Sequence, residues 1–150
     1  TQSKHTVYHK RTIKSRNMES PKHLSHQPII SVNDYDTIDA LYANQTDVKA
    51  LSIGKAQYDK NEISLKVWRH TNTRWSRQSE ELPIHRNLDL SILFLAALAT
   101  DFSENYPKSN LGERIDTPSG VKCIKEYYQN NKKFIEPRLK ELKRLLNEIL

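Results

Sequence analysis

The sequence predicts an α+β protein: a small antiparallel sheet of three strands, extended to four by a short strand near the N-terminus, packed on a central apolar helix and followed by two C-terminal helices. Three observations carry this. Residues 49–69 hold two runs with apolar side chains at every second position, the period of a strand. Residues 84–99 hold them at helical spacing and then almost all round the helix. Ile135, Leu139, Leu142, Leu146 and Ile149 recur at helical spacing among lysines and arginines, which describes an amphipathic helix.

In chain order, residues 1–17 carry five basic side chains (Lys4, Lys10, Arg11, Lys14, Arg16) and no acid. Subtracting these five from the net charge of +6 leaves +1 for everything that follows. The only methionine, Met18, comes directly after, so residues 1–17 are read as a basic disordered leader or appended arm, and residues 18–150 as a single domain. Pro21 and Pro28 keep the lead-in extended. His23 and His26 have an H-x-x-H spacing, but no Cys or carboxylate nearby completes a metal set. Ile29, Ile30 and Val32 suit a short strand, and Asn33 or Asp34 then caps a short helix over residues 36–43.

Leu51 and Ile53 alternate with Ala50, Ser52, Gly54 and Ala56 in the next strand, and Asp59, Lys60 and Asn61 supply turn residues. With three-residue loops at 59–61 and 71–73, Ile53 pairs with Val67, Ser52 with Trp68 and Arg69 with Trp75. One face then collects Leu51, Ile53, Ile63, Leu65, Val67 and Trp75, and the helix has to cover it. The other face holds Trp68 beside Lys66, His70, Arg74, Ser76 and Gln78, opposite small residues. A slip of one residue in the second hairpin brings Trp75 to Trp68 instead, because register parity decides every face. Pro83 fits the first turn of the helix from Ile84 to Asp101, with Glu80 and Glu81 complementing its dipole. An irregular connection over residues 105–120 leads to a short helix at 121–130, whose Cys123 is read as a small buried hydrophobe, and to the amphipathic helix.

The runs TDVKALSIGKAQYD and KVWRHTNTRWSRQSEELPIHRNLDLSIL resemble an uncharacterised bacterial family known only as a domain of unknown function. The likeness covers roughly residues 21–99. It implies a small bacterial, cytoplasmic protein and carries over no catalytic residue.

Function is read from the surface. A large aromatic over small neighbours, with cationic and amide groups around it, can stack a base, a peptide or another flat ligand; the alternative is that the connection after the central helix, or the C-terminal helix, packs on this face and Trp68 is simply core. The preferred reading is therefore a non-catalytic binding or protein-interaction module using Lys66, Trp68, His70, Arg74, Arg77 and Gln78, with an unidentified protein or a small flat ligand as partner. An enzyme site at the hairpin-to-helix junction is the alternative, since His85 and Asp89 lie four apart beside Glu81 and a carboxylate can orient an imidazole. Nucleic acid held by the basic arm is a third reading. Asp47-Val48-Lys49 has the D-x-K form of metal nucleases, but it precedes its strand and the spacing is generic. No metal or cofactor is assigned. A lone cysteine points to a reducing compartment, the cytoplasm, and no apolar run is long enough to cross a bilayer.

Overall fold

The computed structural model describes residues 19–20, 25–76, 80–101 and 106–150. The basic leader, Met18, and the predicted site residues Arg77 and Gln78 lie outside the described residues. Among the described residues, four strands form one antiparallel sheet in chain order: β1 (Gln27–Asn33), β2 (Val48–Lys55), β3 (Ile63–Arg69) and β4 (Glu81–Pro83). Three helices follow, α1 (Ile84–Leu98), α2 (Pro118–Asn130) and α3 (Lys132–Ile149). The class is α+β. The chain divides into two compact units, one ending at Asn87 and one beginning at Leu88.

In the sheet unit, β2 pairs with β3 so that Leu51 meets Val67, Ser52 meets Lys66 and Ala50 meets Trp68. The connection is longer than the three residues expected, and the pairing is shifted by two. A two-residue shift preserves parity, so each side chain keeps its predicted face. The second hairpin is shifted by one. His70 bridges Trp75, the amide of Thr71 bonds the carbonyl of Arg74 and that of Ser76 the carbonyl of Arg69. Parity flips beyond the turn, and Trp75 joins the face of Trp68.

That face is the buried one. Ala50, Ser52, Gly54 and Ser64 are small enough to leave a trough, which the indole of Trp68 and the imidazole of His26 fill; Trp68 is 1 % exposed and His26 0 %. Leu51, Ile53, Leu65 and Val67, expected to be the face in need of cover, are only half-buried. Gly54 is required where β1 bulges between Pro28 and Ile30: a Cβ there would stand 2.0 Å from the carbonyl oxygen of Gln27.

The helix expected over residues 36–43 is replaced by two 3-10 turns, Tyr35–Thr37 and Ala40–Tyr42. Asp34, Ala40 and Asn44 have φ of 54°, 49° and 66°, and left-handed residues cannot propagate an α-helix. Pro83 closes β4, opposite Ser64, instead of opening the helix.

In the helical unit the girdle of α1 is not enclosed: Leu90, Leu93 and Leu95 are exposed and Ala96 is buried. Leu93, Ala97, Ile115, Val121 and Ile124 line a cleft of about 350 Å³. The Lys125 ammonium caps the Thr100 carbonyl at the end of α1. Cys123 is exposed, not buried as its place on a helix suggested, because Val121 takes the inward position of α2.

Candidate functional site

The sheet unit carries two polar constellations. The first is internal. The Nε2 of His26 lies 3.0 Å from the Ser52 hydroxyl, and its Nδ1 lies 2.9 Å from the Ser64 hydroxyl and 3.2 Å from a Glu81 oxygen. Ser64 donates to the same oxygen of Glu81 at 2.6 Å, the amide of Gln57 donates to it at 2.9 Å, and the Trp68 indole N–H donates to Ser52 at 2.8 Å. Every proton finds an acceptor when the imidazole is neutral and protonated on Nδ1: Ser52 accepts from Trp68 and donates to Nε2, while Ser64 accepts from Nδ1 and donates to Glu81. Burial pushes the imidazole below its ordinary range, against the pull of Glu81. Burial alone would raise Glu81, but the bonds from Ser64, Gln57 and His26 outweigh it and hold the carboxyl low.

Ser52, His26 and Glu81 are connected as the members of a hydrolytic triad are, hydroxyl to imidazole to carboxylate. Yet the serine is buried under Trp68 and under the imidazole itself, so any opening that admits substrate to Ser52 also removes its base. The network ties the N-terminal lead-in to β2, β3 and β4. Ser20 makes separate bonds to β1, with its hydroxyl 2.6 Å from that of Ser31 and its amide bonded to Asn33.

The second constellation is open. A cleft of about 740 Å³ lies between the two 3-10 turns and the ends of β2 and β3, bounded by Tyr35, Asp39, Tyr42, Asp47, Arg69 and Glu80 over a floor of Leu51 and Val67. Arg69 forks between two carboxylates: Nη1 lies 2.7 Å from Asp47, and Nη2 and Nε reach Glu80 at 2.7 and 3.2 Å. Its bond holds the Glu80 carboxyl below the usual range. A smaller hollow of about 390 Å³ shares Gln45, Thr46 and Asp47 with this cleft and reaches Lys49 and His70.

The predicted site residues separate accordingly. Trp68, which the binding reading needs at the surface, is the largest of the fully buried side chains described, so the alternative that it is core holds. No ring face remains for a ligand to stack on; Lys66 lies over it at 4.4 Å, and His26 and Trp75 meet it edge-on at 5.7 and 5.9 Å. His70 packs edge-on against Trp75 and also lines the smaller hollow, while Arg74 is exposed at the turn. At the junction, Glu81 is committed to the internal network, His85 is exposed on the first turn of α1 and Asp89 is half-buried. Lys49 pairs with Asp36 and Asp47 with Arg69, so the D-x-K residues turn to different partners. The sequence reasoning missed His26, Ser52 and Ser64. The signal available was a trough of small residues opposite Trp68, which needs something to fill it.

The fold and site define a small α+β protein with a polar, histidine-centred core beneath one sheet face and an open cleft at one end of the other. The chain belongs to the Family of unknown function (DUF6530), whose model matches residues 18–117, and α2 and α3 lie beyond the match. No curated protein and no solved structure matches it. Among the described residues no helix is long and apolar enough to cross a membrane, and no group of three or more His, Cys, Asp or Glu side chains is placed to hold a metal ion.

Proposed function

We propose that this is a non-catalytic binding protein whose working surface is the tyrosine- and carboxylate-lined cleft, and that the cleft receives a cationic group carried by a partner protein. The observation that carries the reading is the lining. Three carboxylates (Asp39, Asp47, Glu80) face one guanidinium, and that guanidinium is already spent on two of them. Two tyrosines supply ring faces for cation–π contact, and the volume falls within the range of about 300–1,000 Å³ usual for ligand sites. The hairpin still contributes, through Arg69 and His70 instead of Trp68. Negative lining repels phosphate, so the cleft favours protein over nucleic acid.

The test compares capture of partners by the wild-type chain and by Tyr35→Ala and Asp39→Asn variants. A partner held by wild type, released with rising salt and lost from both variants, with far-UV circular dichroism unchanged, supports the reading. Retention by the folded variants refutes it. We further place the protein in a bacterial cytoplasm; the family likeness and the single, exposed thiol of Cys123 support this, since a reducing compartment tolerates such a thiol.

A further inference from the structure

Helix α3 presents Ile135, Leu139, Leu142, Leu146 and Ile149 at alternating spacings of four and three, an amphipathic stripe whose spacing also fits the a and d positions of a coiled-coil seam, with Leu145 beside it. The seam opens along its length: Ile135 and Leu139 are half-buried, whereas Leu142, Leu146 and Ile149 are 48, 50 and 75 % exposed. Leaving such a stripe in water is unfavourable by roughly 25 cal/mol per Å² of apolar surface.

We propose that α3 is a self-association surface whose occupant is α3 of a second copy of this chain, running antiparallel. The direction follows from charge. In heptad terms Leu139 and Leu146 take the a positions and Ile135, Leu142 and Ile149 the d positions, which puts Glu136 and Lys143 at e and Arg138 at g. In a parallel pair Arg138 faces the partner's Lys143, two like-charged contacts per dimer. In an antiparallel pair with Leu139 against the partner's Leu142 and Ile135 against the partner's Leu146, Glu136 lies beside the partner's Lys143, two opposite-charged contacts. Each helix then sets its open end on the half-covered end of the other. Glu136 already shares its charge with Lys140 at 2.9 Å and Lys132 at 3.5 Å along its own helix, so the crossed pairs select direction more than they add affinity. Leucine at both a positions and isoleucine at two of the three d positions likewise disfavour a parallel two-stranded pair.

Sedimentation equilibrium of the full chain, over a wide range of concentration, tests this. The expected mass rises from 17.6 kDa towards twice that value. Leu142→Asp with Leu146→Asp should hold the mass at the monomer value, with the helical circular dichroism retained. Lys143→Glu should weaken the dimer, and adding Glu136→Lys should restore it. A wild-type chain that stays monomeric at every concentration overturns the proposal, and if that monomer sediments with phosphatidylglycerol vesicles the stripe belongs to a lipid surface. A dimer indifferent to the two aspartates overturns it as well. A dimer strengthened by Lys143→Glu overturns the antiparallel arrangement.

Discussion

Replacing His26 by alanine should cost the sheet unit about 3 to 5 kcal/mol, a large fraction of the stability of a small domain. The figure is built from the contacts. The bond between Nε2 and Ser52 is of the neutral kind, net roughly 1 kcal/mol, and the one shared by Ser64 and the Glu81 carboxylate is charge-assisted, roughly 1.5–3 kcal/mol. The edge-on contact with Trp68 adds roughly 0.5–1.5 kcal/mol. Water entering the vacated space recovers part of this, which brings the upper end down to about 5 kcal/mol. Urea unfolding at alkaline pH, followed by tryptophan fluorescence, measures the difference, and a loss under about 1 kcal/mol refutes the claim that this imidazole organises the core. The same ring sets a pH dependence. Its folded pKa is lowered by burial, so the unfolded chain takes up the proton first as pH falls below 6.5. Stability is then lost from that point down through the folded value. Glu81, also lowered, adds a second loss that begins only below 4.5. His26→Gln should abolish the upper step and leave the lower one, and a wild-type profile flat below pH 6.5 contradicts the assignment.

Three further outcomes follow from the same geometry. Trp68→Ala should destabilise the protein by roughly 3–5 kcal/mol and disrupt the sheet signal in circular dichroism, since the indole is buried and its N–H holds Ser52; a variant as stable as wild type places the ring outside the core. Gly54→Ala should separate β1 from β2, because its Cβ would meet backbone atoms of Gln27 at 2.0 Å and 2.8 Å; loss of amide-exchange protection in β1 reads this out, and unchanged protection refutes it. Ala40→Gly should stabilise the protein by roughly 0.5–1 kcal/mol, seen as a raised urea midpoint, as it relieves a left-handed alanine; a lowered midpoint shows that the turn carries no strain.

The strands and helices were legible because periodicity depends only on which residues are apolar. Ile63, Leu65 and Val67 report a period of two wherever the chain goes next. Burial of the Trp68 face was legible only as an alternative, and what fills it was not legible, since burial follows shape as well as hydrophobicity. The aliphatic face looked like the core by composition, yet Ala50, Ser52, Gly54 and Ser64 allow a histidine from the lead-in to reach the sheet and join Trp68, and a filled trough excludes water more completely than a row of branched side chains left half-covered. His26 gave no local sign of this role, because its partners lie 26, 38 and 55 residues away.

Register explains why one error was harmless and another moved the candidate site. Loop length sets the sum of paired residue numbers, and only its parity decides faces. The first hairpin differs from expectation by two, so Leu51, Ile53, Leu65 and Val67 still share a face. The second differs by one, and this takes Trp75 from the aliphatic face to the aromatic row of His26, Trp68, Trp75 and His70, the first two buried and the last two half-buried. With both tryptophans on one side, the open side keeps Arg69 as its charged centre, framed by Asp47 and Glu80. The proposed working surface therefore passes to the neighbour of Trp68 in sequence, one residue along and on the opposite face.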